Sequence, residues 1–368
     1  MRLESLRLVD FKNYTSAMLE FHGSIHCLLG KNGSGKTNLL EAIYYLCFTR
    51  GPRGGSDGSC IRNGRGQFVV EGRCRKEDRP HDVVCTFSSG DKKLVSEDGK
   101  VYSKFSDHIG KYPLVLVAPN DIELIWDGPE LRRRYVDTLL SQTDQEYLRQ
   151  LILYQSVLRQ RNGLLKMSQE RGVIDRDLLH TYDAQLIAAG TYIFSARETL
   201  VKRIIPVLTE QYSFLVGGSD EQVGILYTSD LAAFDFGSEL SGRLERDRIL
   251  GRTSVGIHRD DFNFQLMNQP LKDWGSQGQQ KSFLIALKLA EFKLLEEKNR
   301  FKPLLLLDDI FDKLDDDRIH RLMDLISAGS FGQIFITDAR PERSAEMLRR
   351  IGVKSQNFQV EGGMILTS

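Results

Sequence analysis

The sequence predicts an α/β head assembled from both ends of the chain, with a helical insertion between them. Three observations carry that reading. The first third is a series of short strand-like segments separated by glycine-rich turns. The middle places apolar residues three and four positions apart. The last third returns to strand, helix and strand around the run LLLL at 304–307.

Length and composition set the frame. The chain has 368 residues, enough for two domains, and at 41% hydrophobic content it can bury a substantial core. Lys and Arg number 50, as do Asp and Glu, so net charge says nothing of partners and local charge must be read instead. The longest apolar runs are too short to span a bilayer, and MRLESLRLVDF has no signal-peptide core, which makes a cytoplasmic protein without a membrane partner the expectation. The five cysteines (Cys27, Cys47, Cys60, Cys74 and Cys85) form no CxxC pair and are expected as reduced thiols.

Along the chain, RLESLRLVDF, SIHCLLG, QFVVEGRC and DVVCTF read as strands, with a turn at 51–59. From about 130 to 212 the pattern is helical, and Pro206 is expected to end the last of these helices. From about 252 strands return, followed by an amphipathic helix over Gln279–Lys298, a buried strand over Pro303–Leu307, a helix, and a strand in GQIFIT. The expected division is a discontinuous head, 1–120 with 252–368, and a helical arm, 121–251.

The most specific segment is GKNGSGKTNLLEAI. A buried strand runs into Gly30, Lys31, Asn32, Gly33, Ser34, Gly35, Lys36 and Thr37 and then into a helix. Glycines there let successive N–H groups turn inward as an anion nest, and the helix adds its positive end. This is the P-loop pattern in its required context: Lys36 reaches terminal phosphates and the Thr37 hydroxyl holds Mg²⁺. LLLLDDIFDKLDDDR supplies the second part. Asp308 directly follows four buried leucines, at the strand end where open α/β sheets bind ligands, and is the candidate partner of Thr37 on the metal. Asp309 is the candidate base for an attacking water, with Lys36 as the other catalytic residue. Asp316 and Asp317 read as solvated.

WGSQGQQKSFLIALKLAEF places a small polar turn before a strong helix. With the cradle and Asp308 it resembles the signature of ATP-binding-cassette ATPases, with Gln277 where a glycine is usual. The resemblance implies that Ser276, Gly278 and Gln279 bind the γ-phosphate of ATP held by a second copy, so that ATP joins a dimer. Phe311–Asp315 resembles the loop that lies at that dimer interface. In IFITDAR, Thr337 and Asp338 stand where many cassettes have a switch histidine, which implies slow hydrolysis. Lys12 and Asn13 sit where related cassettes contact nucleotide.

The insertion is too short for a long coiled coil. LVDFKNY, GKNGSGKTNLLEAIYYL, LVLVAPNDIELIWDGPELRRRYVD, YQSVLRQRN and GIHRDDF, together with the two segments above, resemble the RecF family of bacterial recombination mediators over nearly the whole chain. That resemblance implies an ATPase head with a helical arm, ATP-dependent dimerisation, and binding to single-strand/double-strand DNA junctions without sequence specificity. It also implies weak, DNA-stimulated hydrolysis and work with RecR and RecO in loading RecA. An ATPase subunit of another DNA-maintenance complex is the alternative. A metabolite kinase and a transporter ATPase subunit have no use for, respectively, the turn at Ser276 and the segment after Leu114.

Between positions 50 and 79, eight basic residues face four acidic ones, and Arg50, Arg53, Arg62 and Arg65 are the candidates for phosphate contact with DNA. Arg132, Arg133 and Arg134 are expected to make structural ion pairs with the head. The cluster His258, Arg259, Asp260 and Asp261 is expected as a head–arm junction network. Trp126 and Trp274 are expected in core or interface packing.

Overall fold

RLESLRLVDF becomes strand β1 (Arg2–Phe11), with Leu3, Leu6, Leu8 and Phe11 all fully buried. That spacing is not strict alternation. A register irregularity between Leu3 and Ser5 and a left-handed Asp10 (φ 48°) bring all four side chains to the core. The computed structural model describes residues 1–90, 92–218, 220–310, 316–340, 346, 349 and 352–367, without the side chains of 171 and 367.

In chain order β1 is followed by β2 (Tyr14–Glu20), β3 (Ile25–Leu29) and α1 (Lys36–Phe48). Next come β4 (Gln67–Lys76), β5 (Arg79–Ser88), β6 (Leu94–Glu97), β7 (Lys100–Val101) and β8 (Leu114–Val117). The middle contains α2 (Glu123–Trp126), α3 (Pro129–Thr143), α4 (Gln145–Arg171), α5 (Arg176–Val216), β9 (Val223–Thr228), α6 (Phe236–Gly242) and α7 (Leu244–Leu250). Then β10 (Asp261–Leu266), β11 (Gln269–Pro270) and α8 (Leu271–Trp274) lead to α9 (Gln277–Asn299) and β12 (Leu304–Leu307). The chain continues with α10 (Asp316–Ser327), β13 (Gln333–Asp338), β14 (Gln356–Glu361) and β15 (Met364–Thr367).

These elements group into two compact units. The first comprises Met1–Ile122, Gln211–Asp220 and Gln277–Ser368; the second comprises Glu123–Glu210 and Glu221–Ser276. The later division therefore falls at 276/277 rather than 251/252, because β10, β11 and α8 belong with the second unit. That unit is also not wholly helical. VGILYT, inside the expected arm, is strand β9, and it pairs antiparallel with β10 in the sheet β11-β10-β9.

Two sheets build the first unit: an antiparallel one in the order β2-β1-β4-β5-β6-β7, and one in the order β15-β14-β3-β13-β12-β8. In the second, β14, β3, β13, β12 and β8 are parallel and β15 is antiparallel at the edge. Both faces of its central strands are covered, as a parallel sheet requires. All of β3 and all four leucines of β12 are buried, and a fully buried leucine stabilises by roughly 1.5–3 kcal/mol. The carboxyl ends of β3, β13 and β12, three adjacent strands, carry Gly30, Thr337 with Asp338, and Asp308 with Asp309.

Two helices differ from expectation. α5 runs through Pro206 to Val216. Pro206 is exposed, as is Lys202, whose carbonyl loses its helical donor, while Leu208, Tyr212 and Leu215 continue the buried stripe at 0% exposure. α9 is buried around most of its circumference from Ser282 to Phe292, rather than along one face. Lys288 and Glu291, which periodicity would put in water, are buried: the Lys288 ammonium lies 3.6 Å from Asp121 and 3.8 Å from Glu291. Burial lowers the Lys288 pKa, but Asp121 and Glu291 outweigh it and leave the ammonium favoured. The five cysteines are free and buried.

Candidate active site

The cradle follows directly from β3. A side chain at Gly35 (φ 117°) would be strained and crowded: a Cβ would lie 2.5 Å from Asn13 Nδ2 and 2.8 Å from the Tyr14 hydroxyl. Gly30 is equally constrained, with Val360 O 2.2 Å from where its Cβ would be. Neighbours brace the loop from outside. Asn13 Nδ2 donates to Ser34 O at 3.1 Å, and Asn13 Oδ1 accepts from Asn38 Nδ2 at 2.8 Å. The Tyr14 hydroxyl donates to Gly35 O at 3.1 Å, and Gly363 N–H to Ser34 O at 3.1 Å. Lys12 is 2.9 Å from Glu41 of α1. Asn13 thus holds the loop, and Lys12 pairs with the helix that follows it.

Inside the cradle, Lys36 Nζ donates to Gly30 O at 2.7 Å and Lys31 O at 3.1 Å. Gly35 caps α1 without a side-chain hydrogen bond, so the N–H groups of the first turn are left for an anion. Ser34 Oγ is buried with no hydrogen-bond partner among the described residues. Asn32, Gly33, Gly35, Lys36, Thr37, Asn38 and Asp309 line one pocket of about 240 Å³.

Asp308 joins this loop to β12. Its Oδ1 accepts from Thr37 Oγ1 at 3.0 Å and from Thr337 Oγ1 at 2.7 Å. Burial raises the Asp308 pKa, against hydrogen bonds from Thr337 and Thr37 and the charge of Lys36. Thr337 Oγ1 also accepts from Asp309 N–H at 2.9 Å. Asp309 is held at φ 44°, a left-handed conformation uncommon outside glycine. Such strain concentrates where function demands it.

The remaining sequence candidates lie elsewhere. Ser276 is exposed just before α9, and Gly278 and Gln279 are in its first turn. Gly278 and Gln279 do not line the pocket. Asp316 and Asp317 are exposed in the first turn of α10, where acidic residues complement the helix dipole. Phe311, Asp312, Lys313, Leu314 and Asp315 lie outside the described residues. Arg62 and Arg65 flank Asp10, at 3.1 and 3.5 Å, while Arg50 and Arg53 are exposed.

In the second unit, Arg132 makes a bidentate pair with Asp261 (2.7 and 3.0 Å), and Arg133 donates to Asp260 O at 2.6 Å. Their partners are residues that the sequence reading placed in the head, and they lie in the second unit. The cluster at 258–261 is likewise a network internal to this unit. Asp260 Oδ2 is 2.7 Å from Arg197 Nη1 and 2.5 Å from the Tyr227 hydroxyl, and His258 Nδ1 is 2.9 Å from the Tyr154 hydroxyl. Trp126 and Trp274 are 47% and 69% exposed, so neither is a core residue. The Lys272 ammonium sits 5.8 Å above the Trp126 ring.

Sequence reasoning missed Thr337 as a partner of Asp308, and it missed Arg197 and Asn38. Thr337 is the penultimate residue of a fully buried strand, but its place beside β12 is set by strand order; nothing local marks Arg197.

A P-loop, a carboxylate-tipped strand two places along the same sheet and a signature-type helix define a class of protein, the cassette ATPase head. Residues 2–361 match the family model described as the RecF/RecN/SMC N-terminal domain. The head domain of Smc from Pyrococcus furiosus shares this fold, with a TM-score of 0.56 at 17% identity over 99% of this chain and 96% of that one. Within that class the chain is 42% identical over 349 residues to the DNA replication and repair protein RecF of Flavobacterium johnsoniae, covering 95% of this chain and 97% of the relative. It also matches a structure of the recombination mediator RecF with ATP in the RecFOR pathway. There the TM-score is 0.89 at 28% identity, over 100% of this chain and 97% of that one. The chain belongs to the RecF family. Among the described residues, no helix is long and apolar enough to cross a membrane.

Proposed function

We propose that this protein is an ATP-gated DNA clamp of recombinational repair in the bacterial cytoplasm, in which slow hydrolysis times release. The observation that carries the ATP reading is the Thr37–Asp308 hydrogen bond, which closes the cradle onto the tip of β12 with Asp309 facing the same pocket. The unpartnered Ser34 hydroxyl and the uncapped start of α1 suit phosphate oxygens. The Gly30–Thr37 loop would hold the phosphates, with the Lys36 ammonium on the terminal ones.

Thr37 and the buried Asp308 form an all-oxygen pair of the kind a small hard cation takes, and would hold Mg²⁺. When bound, that ion neutralises charge on the β- and γ-phosphates. Asp309 would accept a proton from water as the water oxygen bonds to the γ-phosphorus. The bond from that phosphorus to the bridging oxygen breaks, giving ADP and phosphate.

The signature residues support a split site. Gly278 and Gln279 stand outside the pocket, and Ser276 is exposed, suited to the nucleotide of a second copy. We assign the first unit as the head and the second as the arm. ATP binding energy would then shift a monomer–dimer equilibrium. DNA at single-strand/double-strand junctions would meet Arg50, Arg53, Arg62 and Arg65. RecR and RecO are the partners this reading names, with RecA loading as the outcome.

Light scattering on the Asp309→Asn variant tests the clamp. A dimer is expected with Mg-ATP alone and not in the Ser276→Arg background; a monomer at all concentrations, with and without gapped DNA, would sink the split site. Charge reversal at the four arginines should weaken DNA affinity and flatten its salt dependence. Unchanged binding would remove them from the interface.

A further inference from the structure

We propose that Thr337 is a positioning residue that fixes the metal ligand and the water-activating carboxylate together, and that it does not sense the γ-phosphate. The inference rests on the reading of Asp308 and Asp309 given above. Thr337 stands at the tip of β13, between β3 and β12. Its side chain is 0% exposed. The hydroxyl has one proton, which it gives to Asp308 Oδ1 at 2.7 Å. One of its lone pairs takes the Asp309 N–H at 2.9 Å. The proton a phosphate sensor would donate is already committed.

Both bonds act on the chemistry indirectly. The first, with that from Thr37, sets the orientation of the Asp308 carboxylate. The second holds the Asp309 backbone where φ is 44°, which fixes where its carboxylate points. A hydroxyl is needed, because only a group that donates and accepts at once can serve both neighbours. The next residue extends the splint: Asp338 O accepts from Gly30 N–H at 3.3 Å, and Asp338 Oδ1 from Arg340 N–H at 2.9 Å. The tip of β13 thereby ties the start of the cradle to the end of β12. A rigid tie stands where the resemblance places a mobile histidine.

The test compares wild type with Thr337→Val, Thr337→Ala and Thr337→Ser. Fluorescent-ATP affinity is measured in Mg²⁺ and in EDTA, alongside kcat and KM at saturating Mg²⁺. Loss of a hydrogen bond to a charged group predicts that Thr337→Val loses about tenfold or more of the Mg²⁺-dependent gain in affinity. Its EDTA affinity should stay within about twofold of wild type, a change below 0.5 kcal/mol. A fall in kcat with little change in KM, and recovery of both properties in Thr337→Ser, complete the expected result. Thr337→Ala, which also lacks the hydroxyl, decides the matter if the valine chain does not fold. Equal weakening with and without Mg²⁺ would indicate direct phosphate contact and overturn the proposal, as would wild-type behaviour of both hydroxyl-free variants. A wild-type protein indifferent to Mg²⁺ would overturn the metal reading of Asp308 and the bridge with it.

Discussion

The cradle of the first unit and the buried arginines of the second handle buried charge in opposite ways. In the first, Lys36 and Asp308 are buried yet held by backbone carbonyls and hydroxyls, beside a pocket. In the second, Arg161 and Arg197 are buried against carboxylates. Arg161 Nε is 2.6 Å from Asp183 and its Nη1 is 2.8 Å from Asp247, while Arg197 reaches Asp260 and Asp137 at 2.7 and 2.8 Å. A buried ion pair satisfied by its own partner is a tether. A buried ion held by neutral groups retains charge for a ligand.

This contrast can be broken most sharply at Asp309. Asp309→Asn should lower kcat by about a hundredfold or more, the range for a lost general base. Asparagine tolerates left-handed φ, so the melting temperature should hold. A large drop in melting temperature instead would make Asp309 a structural residue.

Arg161→Met is the converse case. It leaves Asp183 and Asp247 without their cation and should destabilise by about 3–5 kcal/mol. Nucleotide affinity of the folded protein should be unchanged, and calorimetry with titration at low temperature separates the two. Loss of affinity without loss of stability would erase the distinction.

Gly35→Ala sharpens the first half of the comparison. Its Cβ meets Asn13 and Tyr14, which brace the loop. ATP affinity should fall about tenfold, equivalent to about 1.4 kcal/mol of displaced loop. Wild-type affinity would show that the brace is dispensable.

The pH-dependent effect concerns histidine. His26 in the first unit and His258 in the second are both lowered by burial to about 4. Folded, each binds fewer protons than when unfolded, so their contribution is complete above the unfolded pKa and declines as pH falls from 6.5 towards 4. The loss at pH 5 should be on the order of 1–2 kcal/mol for each histidine. Denaturant titrations at pH 7.5 and 5.0, with and without His258→Gln, check it. A variant with undiminished pH dependence would remove His258 from the account.

The cradle, the Asp308 strand and the signature helix were legible because each couples an unusual local pattern to a strand or helix boundary. Lys288 was not: helical periodicity places it in water, and only the distant Asp121 makes its burial tolerable. Pro206 misled for a similar reason, since the local rule for proline says nothing of a buried stripe that continues beyond it. β9 was missed because six residues carry too little pattern to displace a helical reading of their surroundings. The pairing of Thr337 with Asp308 depends on the order of strands in the sheet, which no local pattern encodes.

The bracing of the cradle has a consequence for how the protein is made. Gly30 packs against Val360, and Ser34 is held by Gly363. Synthesis runs from the amino end, so Gly30–Thr37 leaves the ribosome well before Val360 and Gly363. Until residue 363 has been translated and β14 has paired with β3, the P-loop lacks its braces from Val360 and Gly363. A chain stopped before β14 is therefore expected to bind ATP more weakly than the whole protein.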